Sequence, residues 1–168
     1  MSRGTIRVRQ VVDWSSALWA GLVAGTVLLV ANWILAPMLL SVNGWVVVRL
    51  YASAVLGDGV LAPPASFDVV ALAAALVVHY AVAIAAAVLL AITIYRWGVV
   101  AGFVGGALFG VAMYCIGVYV ITLALPAFML LESPVFLLTH VVFGATAGTV
   151  YELLEVETFE PIEAEAAS

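Results

Sequence analysis

The 168-residue chain is 67% hydrophobic and 9% charged, with a mean hydropathy of +1.27 and a net charge of −5. Soluble domains carry about 45–50% apolar and about 25% charged residues, and a chain this short has no core large enough to hide the excess. A soluble enzyme, a secreted domain and a disordered chain are therefore excluded, and without a basic stripe nucleic acid is not an expected partner.

Charges punctuate the chain. The uncharged stretches 14–48, 69–95, 97–131 and 133–151 are each long enough for the roughly 20 helical residues that cross a bilayer. Helix is required because an isolated strand would leave its backbone groups unpaired in lipid. The expectation is an all-α integral membrane protein: a four-helix bundle over 14–154, with spans near 15–37, 69–95, 97–122 and 134–154. Residues 1–13 precede it, and an acidic tail, 155–168, follows it and is read as loose and solvated.

Arg3, Arg7 and Arg9 could head a signal peptide, but the apolar run behind them is too long and lacks a cleavage site, so the segment is read as a retained span. Together with Arg96, between the second and third spans, these arginines predict cytoplasmic termini in a bacterial inner membrane. Arg49 is then the one basic residue on the outer side. Asn32, deep in the first span, needs a hydrogen-bond partner inside the bundle. Trp14, Trp19, Trp45 and Trp97 fall near span ends and are expected as interfacial anchors.

The first outer loop, 38–68, holds the apolar run WVVVRLYASAVL (45–56), which fits a short interfacial or re-entrant helix. Arg49, Asp58 and Asp68 make this loop's polar set. Arg49 is expected to reach a carboxylate or lipid head groups, and Asp68 to cap the second span. Pro126 breaks the second outer loop, and Ser133-Pro134 opens the last span.

Short likenesses, AGLVAG (20–25) with GVVAG (98–102) and Pro37–Leu40 with Pro126–Leu131, point to two related halves, a 2+2 parallel repeat. Gly98, Gly102, Gly106 and Gly110 are spaced by four on one face of the third span. Gly144 and Gly148 in the fourth and Gly21 and Gly25 in the first make shorter faces of the same kind. Such a glycine zipper lets backbones approach closely, within the bundle or against another subunit.

LGDGVLAPPASFD (56–68), the following His79 and HVVFGATAGTVY (140–151) resemble a family of small four-helix bacterial membrane proteins reading LGxxVLxPPxxFD, H and HxxxGxxxGxxY. That family is sometimes labelled sodium–proline symporter-like. The resemblance implies the fold and the membrane location and brings no catalytic residues with it.

His79 and His140 are the candidate site, because a histidine inside a span is a functional-site candidate by default. They lie at comparable depth in two parallel spans. They could bond to Tyr80, Thr139, Tyr114 or backbone carbonyls as inter-helix glue, form a proton path, or ligate a b-type haem between the helices. No metal site is expected; the lone Cys115 excludes a disulfide within the chain. No phosphate loop, HExxH motif, catalytic triad or carboxylate cluster is present. The reading that follows is non-enzymatic: an accessory or scaffolding subunit of a larger, respiratory-type membrane complex. A small homo-oligomeric transporter or channel and a haem-binding protein are the alternatives. Expected partners are the lipid bilayer and other membrane subunits or further copies of the chain.

Overall fold

A computed structural model describes residues 8–161. Four long apolar helical spans suited to crossing a membrane form the body: α1 (Trp14–Leu40), α3 (Val69–Ile94), α4 (Val99–Cys115) with its continuation to Leu123, and α5 (Pro134–Leu154). A shorter helix, α2 (Gly44–Leu56), lies between the first two. At the end carrying both described termini (the terminal end), a two-stranded antiparallel ribbon joins β1 (Val8–Val11) to β2 (Thr158–Pro161).

Local chemistry starts each helix. Asp13 accepts from the Ser15 and Ser16 amides, Asn43 from Trp45, Asp68 from Val70 and Ala71, and Ser133 from Phe136. Each satisfies orphan amides that lipid could not. The first span differs from expectation at its far end. Its helix continues through Pro37 to Leu40 and closes on Ser41 in the left-handed region, φ 55°. Pro37 has no N–H to offer the Trp33 carbonyl one turn back, so the ladder lacks one bond there while the helix continues.

The third span also differs. Regular α-helix stops at Cys115, and the chain continues as a π-turn (Ile116–Val120) and a 3-10 turn (Ile121–Leu123). Gly117 sits inside this wider turn, and a Cβ there would meet nothing within 4 Å. Another short 3-10 segment, Pro126–Leu131, then leads to α5.

Small residues set the packing. A Cβ on Gly106 would run into the Gly144 carbonyl, one on Gly110 into the His140 carbonyl, and one on Gly148 into the Gly102 carbonyl. α4 and α5 therefore lie backbone on backbone. α1 meets α3 in the same manner, with Gly21 against Ile84 and Ala87 and Gly25 against Ala83 and Tyr80. Each half is thus an antiparallel hairpin, and α1 and α5 join the halves through Ala17, Ala20, Ala24, Phe143, Ala147 and Tyr151. Gly98 has another use: at φ 80° it turns the chain into α4.

The segment read as a loose acidic tail, 155–168, is ordered as far as Pro161, and residues 162–168 lie outside the described residues. β2 pairs with β1 in the register Val8 to Pro161 and Val11 to Thr158, and Arg9 and Glu160 form an exposed ion pair at 3.3 Å. A two-stranded ribbon is marginal alone, so side chains behind it matter. Gln10 Nε2 donates to the Tyr95 carbonyl at 2.8 Å and to Glu155 at 3.1 Å. Asp13 accepts from the Val156 amide, and its own amide donates to the Tyr151 hydroxyl. Partial burial lifts the Glu155 carboxyl above its ordinary range. Burial pushes Asp13 the same way, but its bonds from Ser16, Val156 and Ser15 outweigh it and hold that carboxyl below the ordinary value.

Two outcomes follow. Gly106→Ala should cost about 1–3 kcal/mol by overpacking and lower the melting temperature in detergent. Gly105→Ala should not, since a Cβ there finds its nearest neighbour, Ile94, at 3.7 Å. For Asp13, whose folded pKa lies below its unfolded one, the linked stability is complete above the unfolded value of 3.8 and disappears as pH falls through the folded one. Asp13→Asn should therefore melt earlier than wild type at neutral pH, and the two melting curves should converge in strong acid.

Candidate functional site

His79 and His140 come together on one cavity of about 320 Å³ between the two halves. Leu28 of α1, Val82 and Ala86 of α3, Met113 of α4, Gly117 of the π-turn and Phe143 of α5 line its walls. Tyr51 and Ala54 of α2 close it toward the loop end, with Phe128 and Leu131 from the 3-10 segment opposite. Ala54, Val82, Ile116 and Ile121 belong to the wall and to the protein's exposed surface at once. The cavity therefore has a side facing lipid.

Among the described residues neither histidine touches a charged partner. The His79 ring, 4% exposed, places Nε2 2.8 Å from the Gly25 carbonyl on α1. A carbonyl only accepts, so Nε2 carries the proton and the Nδ1 lone pair is left over. His140 is arranged the opposite way. Its Nδ1 donates to the Phe136 carbonyl one turn back at 2.7 Å, which leaves Nε2 as the acceptor. Aromatic edges fix both rings: Tyr51 and Tyr80 lie 5.7 and 5.2 Å from His79 by centroid, and Tyr114 lies 5.8 Å from His140. Of the partners anticipated for these residues, backbone carbonyls are the ones used. Tyr114 and Thr139 bond elsewhere, to the Ser133 amide and the Phe136 carbonyl.

Beside this cavity lies a void of about 20 Å³, bordered by Asn32, Tyr51 and His79. Asn32 is 3% exposed and its Oδ1 has no partner in the bundle. The inter-helix hydrogen bond expected of it is not made.

The outer-loop set is organised differently from expectation. Arg49 reaches neither Asp58 nor Asp68 with an ion pair; among the described residues the one ion pair is Arg9 with Glu160. Its guanidinium donates to the carbonyls of Val60, Ala62 and Ser66 at 3.0, 3.1 and 3.3 Å. Backbone oxygens, unlike side chains, leave no mark in a sequence, and so this strap was not legible there. Asp68 caps α3; the Ala71 and Val70 amides hold its carboxyl below the ordinary range, with Arg49 the smallest contributor. Asp58 is exposed on the loop surface.

α2 is the short helix anticipated for this loop, but its buried face lies on protein. Val48 and Ala52 meet Ala71 and Ala75 of α3, while Leu50 meets Phe128, Leu131 and Phe136 of the other half. Trp45 is half-buried and stacks edge-on between Trp33 and Phe67, at 5.1 and 5.2 Å. Trp14, Trp19 and Trp97 remain exposed. No three His, Cys, Asp or Glu side chains gather into a metal-binding group among the described residues.

Comparison with protein-family models, with curated proteins and with solved structures finds no match.

The strap carries a testable consequence. Arg49→Lys keeps the charge and loses the planar fork that serves three carbonyls. Amide hydrogen exchange across 58–66 should accelerate in the variant, while exchange within α4 and α5 stays as in wild type.

Proposed function

We propose that this chain is a non-enzymatic multi-pass membrane protein that takes a small lipophilic molecule from the bilayer into the cavity between its halves. The observation that carries the reading is the cavity itself: apolar walls, a side facing lipid, and two inward histidines. Ligand sites are typically concavities of about 300–1,000 Å³ with mostly apolar linings and few polar groups, and this one falls in that range at about 320 Å³. The π-turn beside it is a further support, because such turns are frequent at functional sites.

The setting we favour is a bacterial inner membrane with cytoplasmic termini. It rests on Arg96 at the terminal end and on Arg49 alone at the loop end, and on the family likeness of the loop and last-helix motifs. An accessory or scaffolding role in a larger complex is compatible with ligand binding. Its support has shifted, however, since Gly21, Gly25, Gly102, Gly106, Gly110, Gly144 and Gly148 all pack within the bundle. What remains for a partner is the outward side of α4 and its extension, the least covered span at 22% buried.

A channel or transporter has less support. A conducting path would have to cross the alanine-rich layer of Ala17, Ala20, Ala24, Ala87 and Ala91 at the terminal end. Bis-histidine haem ligation is also less favoured, because His79 Nε2 already donates to Gly25.

Gly117→Phe tests the reading, since the added ring enters open space. Wild-type protein purified in mild detergent should retain an extractable lipophile that the variant lacks, at equal melting temperature. Equal amounts in both, or none in either, would remove the proposal.

A further inference from the structure

The cavity is rich in hydrogen-bond acceptors and poor in donors. His140 Nε2 is a lone-pair site because Nδ1–H is committed to Phe136, and His79 Nδ1 is one because Nε2–H is committed to Gly25. Asn32 Oδ1 is a third acceptor, buried without a partner at the adjoining void. Donors are few at the large cavity: Tyr51 borders both spaces and its hydroxyl can donate once, whereas Asn32 and Trp33, whose side-chain N–H groups can also donate, border only the void. A charged imidazolium would reverse the balance, but a cation at this depth costs several kcal/mol without a carboxylate, and among the described residues no carboxylate lines either space.

Resting on the ligand-binding reading above, we infer that the occupant is an amphiphile whose head group donates a hydrogen bond through an O–H to His140 Nε2, with its apolar body directed to the lipid side. A long-chain alcohol and a tailed phenol or quinol share that chemistry. Ethers, esters and quinones, which only accept, do not. The division of labour between the histidines follows from the two spaces. The small void, about 20 Å³, suits a single water, whose two hydrogens serve the acceptors bordering it, Asn32 and His79. His140 borders the large cavity and not the void, so its lone pair is the one left for the ligand. Tyr51 can return a bond to the ligand oxygen.

The experiment uses the full chain in lipid nanodiscs and two pairs of photoreactive probes. One pair is a diazirine-bearing dodecanol and its methyl ether; the other is a diazirine-bearing alkylphenol and its anisole. Each ether keeps the shape and loses only the donor. After irradiation, labelled peptides are mapped by mass spectrometry, and affinity is read by competition with the unlabelled compound. In at least one pair the hydroxyl compound should label cavity peptides from α3, α5 and the π-turn with roughly tenfold higher affinity than its ether. His140→Phe should erase that difference, and Gly117→Phe should suppress labelling by both members. Equal affinity of hydroxyl compound and ether in both pairs would overturn the head-group inference while leaving the cavity reading in place. Cavity peptides unlabelled by every probe would overturn both. The wild-type comparison stands without any variant, so a His140→Phe protein that fails to fold does not weaken it.

Discussion

α4 and α5 approach until backbone meets backbone, and most of the remaining architecture follows from that contact. In lipid no solvent drives helices together; association depends on close packing and on the hydrogen bonds that packing allows. Gly102, Gly106 and Gly110 facing Gly144, Gly148 and the His140 carbonyl bring this pair into direct backbone contact. α1 and α3 repeat the arrangement with one glycine-bearing partner and one alanine-bearing partner. Two tight hairpins are then joined mainly through α1 and α5, and α3 and α4, which a short turn connects at the terminal end, pack far less closely.

The size of residues along each span decides where space remains. Toward the terminal end α1 and α3 present many small inward residues, Ala17, Ala20, Ala24, Ala83, Ala86 and Ala87, with Leu90, Ile94 and Tyr151 packed among them. Toward the loop end the inward residues include Leu50, Tyr114, Val118, Phe128, Leu131 and Phe136. Bulky side chains hold backbones apart, and the inserted helix α2 has to be accommodated as well. At this level the regular helix of the third span gives way to the π-turn, where Gly117 contributes no side chain. The cavity is lined by small residues, Ala83, Ala86 and Gly117, as well as by Phe128, Leu131 and Phe143, and both histidines stand on its wall.

The scarcity of charge makes the spans readable in the sequence, because Asp68, Arg96, Glu132 and Glu152 fall at or beside their ends. The Asp68 and Ser133 caps are local and equally readable. Contacts with backbone carbonyls are not, which is why Arg49 could be expected to pair with a carboxylate and instead straps a loop. The ribbon was hidden for a related reason. Its strands are four residues each, lie at opposite ends of the chain, and follow no alternating apolar pattern. His79 and His140 could be singled out by rarity alone. Their shared cavity depends on how four helices and a π-turn pack, and that is a property of pairs of segments rather than of any one.

Low polarity also constrains what the site can do. In water a histidine ring can exchange partners freely; in this bundle each ring is committed on one side to a carbonyl that only accepts. That commitment selects the tautomer, and the tautomer selects which nitrogen is left to act and that it acts as an acceptor. A proton carried through the site would require each ring to release its carbonyl and turn, giving up a hydrogen bond worth about 0.5–1.5 kcal/mol at each histidine. Binding a donor requires no rearrangement at all. The same carbonyl contacts that hold the rings in place thus favour recognition over proton transfer, with the specificity residing in one lone pair at the wall of an apolar chamber.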